Sequence, residues 1–99
     1  MQLKHLRTFV AVASTLNLTR AGEKLHLAQS SVSEQIQSLE TDLGATLFDR
    51  SKRKWGLTPA GERLPEYASA IIALSEEAHD VWWWAGSKAH ARSAFLRFF

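Results

Sequence analysis

The run Leu18-Thr19-Arg20-Ala21-Gly22-Glu23-Lys24-Leu25-His26-Leu27, followed by Gln29-Ser30-Ser31-Val32-Ser33-Glu34-Gln35-Ile36-Gln37-Ser38-Leu39-Glu40-Thr41-Asp42-Leu43-Gly44, decides how this chain folds. The first part reads as a short amphipathic helix from Thr19, and a short turn leads into a second, longer helix starting near Gln29. At about 100° per residue, Val32, Ile36, Leu39 and Leu43 of the second helix fall on one stripe, with Ser30, Ser33, Glu34, Gln37, Ser38 and Thr41 opposite. A merely solvated face carries Lys, Glu and Arg. Short, mostly uncharged side chains suit a helix that must approach base edges in a DNA major groove. The expectation is a helix-turn-helix whose second helix reads sequence.

Upstream, Leu3, Leu6, Phe9, Val10, Ala13 and Leu16 line one face of a first helix from Leu3 to about Leu16 and are expected in the core. Asn17 tolerates a left-handed conformation that ends this helix, and Thr19 can cap the next. Gly22 sits mid-helix at a cost of about 1 kcal/mol against Ala, which makes sense where two helices cross closely. Gly44 suits a left-handed C-cap.

Downstream the period changes. Thr46-Leu47-Phe48 and Trp55-Gly56-Leu57 read as two short strands around the tip Arg50-Ser51-Lys52-Arg53-Lys54, a small wing with four cations in five residues. Thr58-Pro59 then opens a last helix, Thr as N-cap and Pro at the first helical position. Its residues Leu64, Tyr67, Ile71, Leu74, Ala78 and Val81 follow a 3,4 repeat, a seam that calls for another helix along its length. Pro65 removes one backbone hydrogen bond and should kink this helix, so the seam is expected to begin after it.

These pieces together resemble the N-terminal winged helix-turn-helix of the LysR-type transcriptional regulators. The resemblance rests on Leu6-Arg7-Thr8-Phe9-Val10-Ala11-Val12-Ala13, Leu18-Thr19-Arg20-Ala21, Leu25, Gln29-Ser30-Ser31-Val32-Ser33, Gln35-Ile36, Leu39-Glu40, Leu43-Gly44, Leu47-Phe48-Asp49-Arg50 and Leu57-Thr58-Pro59-Ala60-Gly61. It covers about residues 1–80, ungapped, and each piece alone would be weak. It implies a mostly α fold: a winged helix-turn-helix of three helices plus a two-stranded wing, then a long linker and dimerisation helix. The expected domains are 1–58, with the helix-turn-helix at about 18–37 and the wing at about 46–58, then the linker helix 59–88, then a tail 89–99.

The resemblance also implies a function: sequence-specific binding of double-stranded DNA at a pseudo-palindromic operator by a homodimer whose linker helices pair antiparallel. Thr19 and Arg20 are then expected at the backbone, and Gln29, Ser30, Ser31, Ser33 and Gln37 in the major groove. Arg50, Lys52, Arg53 and Lys54 are expected at flanking phosphate or the minor groove. Departures from the family pattern are Ser30, often proline, which can act as cap or phosphate donor; Glu34, often basic, read as solvated or internally paired; and Pro65. The family's effector domain has no counterpart in these residues, so a small-molecule inducer is expected only where such a domain is present. The competing expectation is a truncated dimerisation partner that sequesters a full-length regulator without binding DNA; the basic wing argues against it.

Composition sets outer bounds. The 99 residues carry 12 Lys or Arg against 10 Asp or Glu, a net +2, unimpressive for a nucleic-acid binder. The distribution says more: residues 1–54 hold eight basic and five acidic side chains, and residues 55–99 hold four and five. Basic character accompanies the expected reading head. The absence of cysteine excludes a disulfide framework and suits the cytoplasm, and no signal peptide or membrane span is expected. His5, His26, His79 and His90 lack ligand-like spacing, and Ser30, Ser31 and Ser33 lack a visible base, so neither a metal, a cofactor nor an enzyme is expected. Trp82-Trp83-Trp84 point to three sides of a helix and cannot all join one seam.

Overall fold

A computed structural model describes residues 1–87. In chain order it contains α1 (Leu3–Thr15), α2 (Leu18–Leu25), α3 (Gln29–Leu43), β1 (Phe48–Asp49), β2 (Gly56–Leu57) and α4 (Pro59–Ser87). His26, Leu27 and Ala28 form the turn of the helix-turn-helix. Two compact units result, one from Met1 to Ser69 and the other beginning at Ala70. The first unit takes in the start of α4, with Gly61 and Ala68 buried in it.

The core of the first unit is built from α1 and α3. Val32, Ile36 and Leu39 are fully buried, as their stripe predicts, whereas Leu43 at the helix end is 40% exposed. On α1 the buried set is His5, Leu6, Thr8, Phe9, Ala11 and Val12, rotated from the expected one; Leu3 lies at the surface and Val10, Ala13 and Leu16 are half-buried. The reason is that α1 packs against both α2 and α3, so it buries a wide band rather than one narrow stripe. Thr8 is admitted to this band because its hydroxyl lies 2.9 Å from the Lys4 carbonyl and 2.5 Å from the Gln35 side-chain oxygen.

The caps differ from expectation in a consistent way. Leu16, not Asn17, takes the left-handed conformation (φ 52°), and Asn17, not Thr19, caps α2 by accepting from the Arg20 N–H at 3.0 Å. Only two residues separate α1 from α2, so the chain must reverse at the first and cap at the second, and an asparagine side chain is best spent on the cap. α3 follows Ala28 without a side-chain cap, so Ser30 is not one. Gly44 ends α3 at φ 65° as expected.

The wing pairs Phe48 with Leu57 and Asp49 with Gly56, antiparallel. Each strand has two residues rather than the expected three, with Thr46, Leu47 and Trp55 outside them and Asp49 included. The Thr58 hydroxyl donates to the Thr46 carbonyl at 2.6 Å and the Thr58 N–H donates to the Leu47 carbonyl at 3.0 Å. The same hydroxyl accepts from the Gly61 N–H at 3.1 Å, which makes Thr58 the N-cap of α4. α4 then continues through Pro65 to Ser87. The tail 89–99, with His90, lies outside the described residues, as does Lys88.

Close approach of backbone explains two glycines. A Cβ at Gly22 would stand 2.6 Å from the Leu27 carbonyl oxygen, so the tight contact expected there is with the turn as much as with a second helix. At Gly61 a Cβ would collide with the carbonyl of Leu47, fixed by its bond to Thr58. Gly61→Ala should therefore cost about 2–3 kcal/mol in urea unfolding, whereas Gly56→Ala, where a Cβ meets nothing within 4 Å, should stay within about 0.5 kcal/mol. Equal losses at the two positions would mean that the α4 start is not clamped against the wing.

Candidate nucleic-acid interface

Because Val32, Ile36 and Leu39 lock one side of α3 into the core, its other side is left facing outward. Gln29, Ser30, Glu34, Gln37 and Thr41 are exposed, and Ser31 and Ser33 are half-buried. Gln29 begins the helix, its side-chain oxygen 3.4 Å from the Thr19 hydroxyl of α2, so the two helices of the motif meet at their polar ends.

Beside this junction lies an open groove of ≈ 550 Å³ lined by residues 15–20, by Gln29, and by Arg53, Lys54 and Trp55 of the wing. Five of the expected contact residues, Thr19, Arg20, Gln29, Arg53 and Lys54, thus come from three separate elements to one concavity. Its lining holds three cations and no carboxylate. The N-terminal end of α2, capped by Asn17, adds partial positive charge on the same side. Lys52 sits exposed at the wing tip with Ser51, outside this lining.

The far end of α3 has the opposite character. Glu34, Gln37, Ser38, Thr41 and Asp42 line a shallow hollow that holds two carboxylates and no cation. Glu34, expected to be solvated or paired, is exposed, and Asp42 pairs with the amino terminus at 3.2 Å. A polyanion laid along α3 therefore meets cations beside its Gln29 end and none in the lining of the hollow further along, where Glu34 is exposed.

Arg50 makes contacts within the protein. Its guanidinium donates to Glu40 Oε1 at 2.8 Å and lies 4.6 Å over the Trp55 ring centroid. Glu40 Oε2 also accepts from the backbone N–H of Leu47 at 2.7 Å and of Phe48 at 3.4 Å. Trp55 packs on Phe48 with centroids 5.6 Å apart, and Phe48 packs on Phe9 at 5.4 Å. Arg50 is thus engaged by the scaffold. At the base of the wing, the Asp49 carboxyl is held below its ordinary pKa by the hydroxyl and N–H of Ser51, at 2.6 and 2.9 Å, so it stays ionised.

Three residues that organise the site were not expected in it: Asn17, Glu40 and Trp55. Asn17 carried a visible capping signal, an Asn three residues before the N–H it serves. Glu40 carried none, since its partners are seven to ten residues away across a chain reversal.

The expected dimerisation residues lie on α4. Tyr67 is 58% exposed, Leu74 63% and Ile71 37%; Ala78 is exposed, and Leu64 and Val81 are half-buried. Trp82 and Trp83 are exposed at 69% and 68%, Trp84 at 43%. No described helix is long and apolar enough to cross a membrane.

Comparison with known proteins agrees with this architecture. Residues 3–62 match the family of bacterial regulatory helix-turn-helix proteins, lysR family. The chain is 54% identical over 78 residues to the Hca operon transcriptional activator HcaR of Escherichia coli, covering 79% of this chain and 26% of that protein. It is 44% identical over 86 residues to the regulator HdfR of Yersinia enterocolitica, covering 82% and 29%. The chain therefore spans between a quarter and a third of the length of these relatives. Among solved structures, the BenM DNA-binding domain bound to catB site 1 DNA superposes with a TM-score of 0.80 at 36% identity, covering 89% of this chain and 99% of that one. The DNA-bound CbnR domain gives 0.76 at 39%, covering 81% and 92%. With three helices and a two-stranded wing inside the matched residues 3–62, this chain belongs to the lysR family of bacterial regulatory helix-turn-helix proteins.

Proposed function

We propose that this chain is the DNA-reading portion of a dimeric cytoplasmic transcription regulator rather than an enzyme. The observation that carries the reading is the carboxylate-free groove of Arg20, Arg53 and Lys54 beside the uncharged start of α3. Phosphates of a duplex seat against the cations, with Lys52 reaching outward from the wing tip and Thr19 donating to the backbone. Gln29, Ser30, Ser31, Ser33 and Gln37 then face base edges. Phosphate contact supplies affinity and register, and the short α3 side chains supply discrimination. The alternative, a partner that sequesters a full-length regulator, has no use for three cations gathered from α2 and the wing beside the start of α3. That relatives of this fold are solved with DNA supports the same reading.

The second part of the proposal is homodimerisation through α4, which doubles the reading head and makes a pseudo-palindromic operator the natural target. The intervals between Leu64, Tyr67, Ile71, Leu74, Ala78 and Val81 run 3, 4, 3, 4, 3 and read the same in both directions. Two antiparallel copies about an axis between Ile71 and Leu74 would set Ile71 on the partner's Leu74, Tyr67 on the partner's Ala78 and Leu64 on the partner's Val81. Large faces small at the tyrosine.

Three outcomes follow from these roles. Because neutralising phosphate releases counterions, Arg53→Ala should weaken binding to operator and random duplex alike and reduce the slope of log affinity against log salt by about one; unchanged affinity for both would make the wing a solvated loop. Gln29→Ala should cost about 1–3 kcal/mol on the best operator and much less on random DNA, and equal losses would assign Gln29 to the backbone. For assembly, Ile71→Glu with Leu74→Glu should give a folded monomer in sedimentation that holds a half-site weakly and loses tight binding to the full palindrome. A double variant that still sediments as a dimer would remove α4 from the interface.

A further inference from the structure

The basic run of the wing divides into two kinds of cation. Arg50, Lys52, Arg53 and Lys54 are all exposed, Arg50 with 40% of its side chain accessible, but Arg50 alone of these four described residues bonds a carboxylate of α3 and lies over an aromatic ring of the wing. From this geometry we infer that Glu40 and Arg50 are positioning residues that fix the wing relative to the recognition helix, and that Arg50 acts on DNA only through this bracing and not by gripping phosphate. The inference rests on the DNA-binding reading above and deepens it.

Glu40 is the only α3 residue among those described that bonds directly to the wing segment, and it does so with both oxygens. One oxygen takes the N–H groups that open β1, and the other takes Arg50, just past β1's end. The carboxylate thus holds the strand at its two ends. The Glu40 side chain is only 12% exposed, so bulk water competes poorly for these bonds. Arg50 closes the loop: its flat guanidinium serves Glu40 at one edge while its face covers Trp55, just before β2. The result is a ring of contacts, α3 to β1 to the wing's return and back to α3. It holds the Lys52–Lys54 tip at a set distance from Gln29.

Electrostatics point the same way. Arg50 and Glu40 neutralise each other, so a phosphate drawn to Arg50 would leave a shielded carboxylate without its cation and Leu47's N–H as its main partner. Lys52, Arg53 and Lys54 offer a phosphate the same charge at no such cost. Lysine could reproduce the charge of Arg50 but not its simultaneous edge bond and ring stack.

The test compares Arg50→Lys, Arg50→Ala and Glu40→Gln with Arg53→Ala. Operator and random-duplex affinities are measured across a salt series, well below each variant's thermal midpoint, and amide hydrogen exchange is followed at Leu47 and Phe48 without DNA. The expected result is that Arg50→Lys weakens operator binding roughly tenfold with no change in salt slope, and that Arg50→Lys combined with Glu40→Gln is no worse than either alone. Exchange at Leu47 should quicken in each. An Arg50→Lys variant that binds like the wild type, with Arg50→Ala lowering the slope by about one, would make Arg50 a phosphate contact and overturn the inference. Variants that melt earlier yet bind DNA normally would overturn it too, as the pair would then serve stability alone. Exchange at Leu47 as slow as in the wild type would refute the bracing whatever the DNA data. A wild-type chain that binds no duplex would instead remove the DNA-binding reading on which the inference stands.

Discussion

Everything on the reading surface depends on how firmly α3 is seated. Three of its side chains, Val32, Ile36 and Leu39, are completely buried where α3 packs on α1 and α2, and burying each stabilises the domain by about 1.5–3 kcal/mol. A helix held by one stripe has no freedom to roll, so the opposite face is presented at a fixed angle. In the proposed DNA-reading role, that rigidity is what lets short side chains such as Ser30 and Ser33 take part in recognition. A long, flexible lysine could find a partner from a poorly placed helix, but a serine reaches only what the backbone delivers to it.

The wing needs a different kind of support. Two strands of two residues each cannot hold themselves, since an isolated hairpin is marginal even at greater length. Its stability is borrowed from neighbours: Phe48 is inserted into the core beside Phe9, Trp55 covers Phe48, Glu40 receives the strand's leading N–H groups, and Thr58 joins its return to α4. Gly61 belongs to this arrangement, because only a residue without a side chain lets α4 start against the Leu47 carbonyl. Cations at the tip then project from a base that the protein itself orders, which in the proposed role would spare a bound duplex that ordering entropy.

Charge is arranged by location rather than amount. A net +2 would not mark this chain as a nucleic-acid binder. Three cations meet in a groove free of carboxylates, while two carboxylates gather at the other end of α3. Because Coulomb interactions fade within about 10 Å at moderate salt, a duplex responds to the local sign and not to the sum.

The sequence by itself determined the elements and much of the surface. The stripe Val32–Ile36–Leu39, the left-handed Gly44, Thr58-Pro59 at the start of α4 and the basic run 50–54 are all local signals. Each depends on residues within one or two helical turns, which is why they are legible in a linear string. Tertiary structure decided what those residues do. α1 shows a rotated core because it serves two neighbours at once, and the two-residue link to α2 gave the left-handed turn to Leu16 and the cap to Asn17. The first compact unit takes in the start of α4, with Gly61 and Ala68 buried in it. Most of all, the fold separated Arg50 from its basic neighbours: only the reversal after Gly44 brings Glu40 back to it, and a contact made by chain reversal leaves no periodic trace along the sequence.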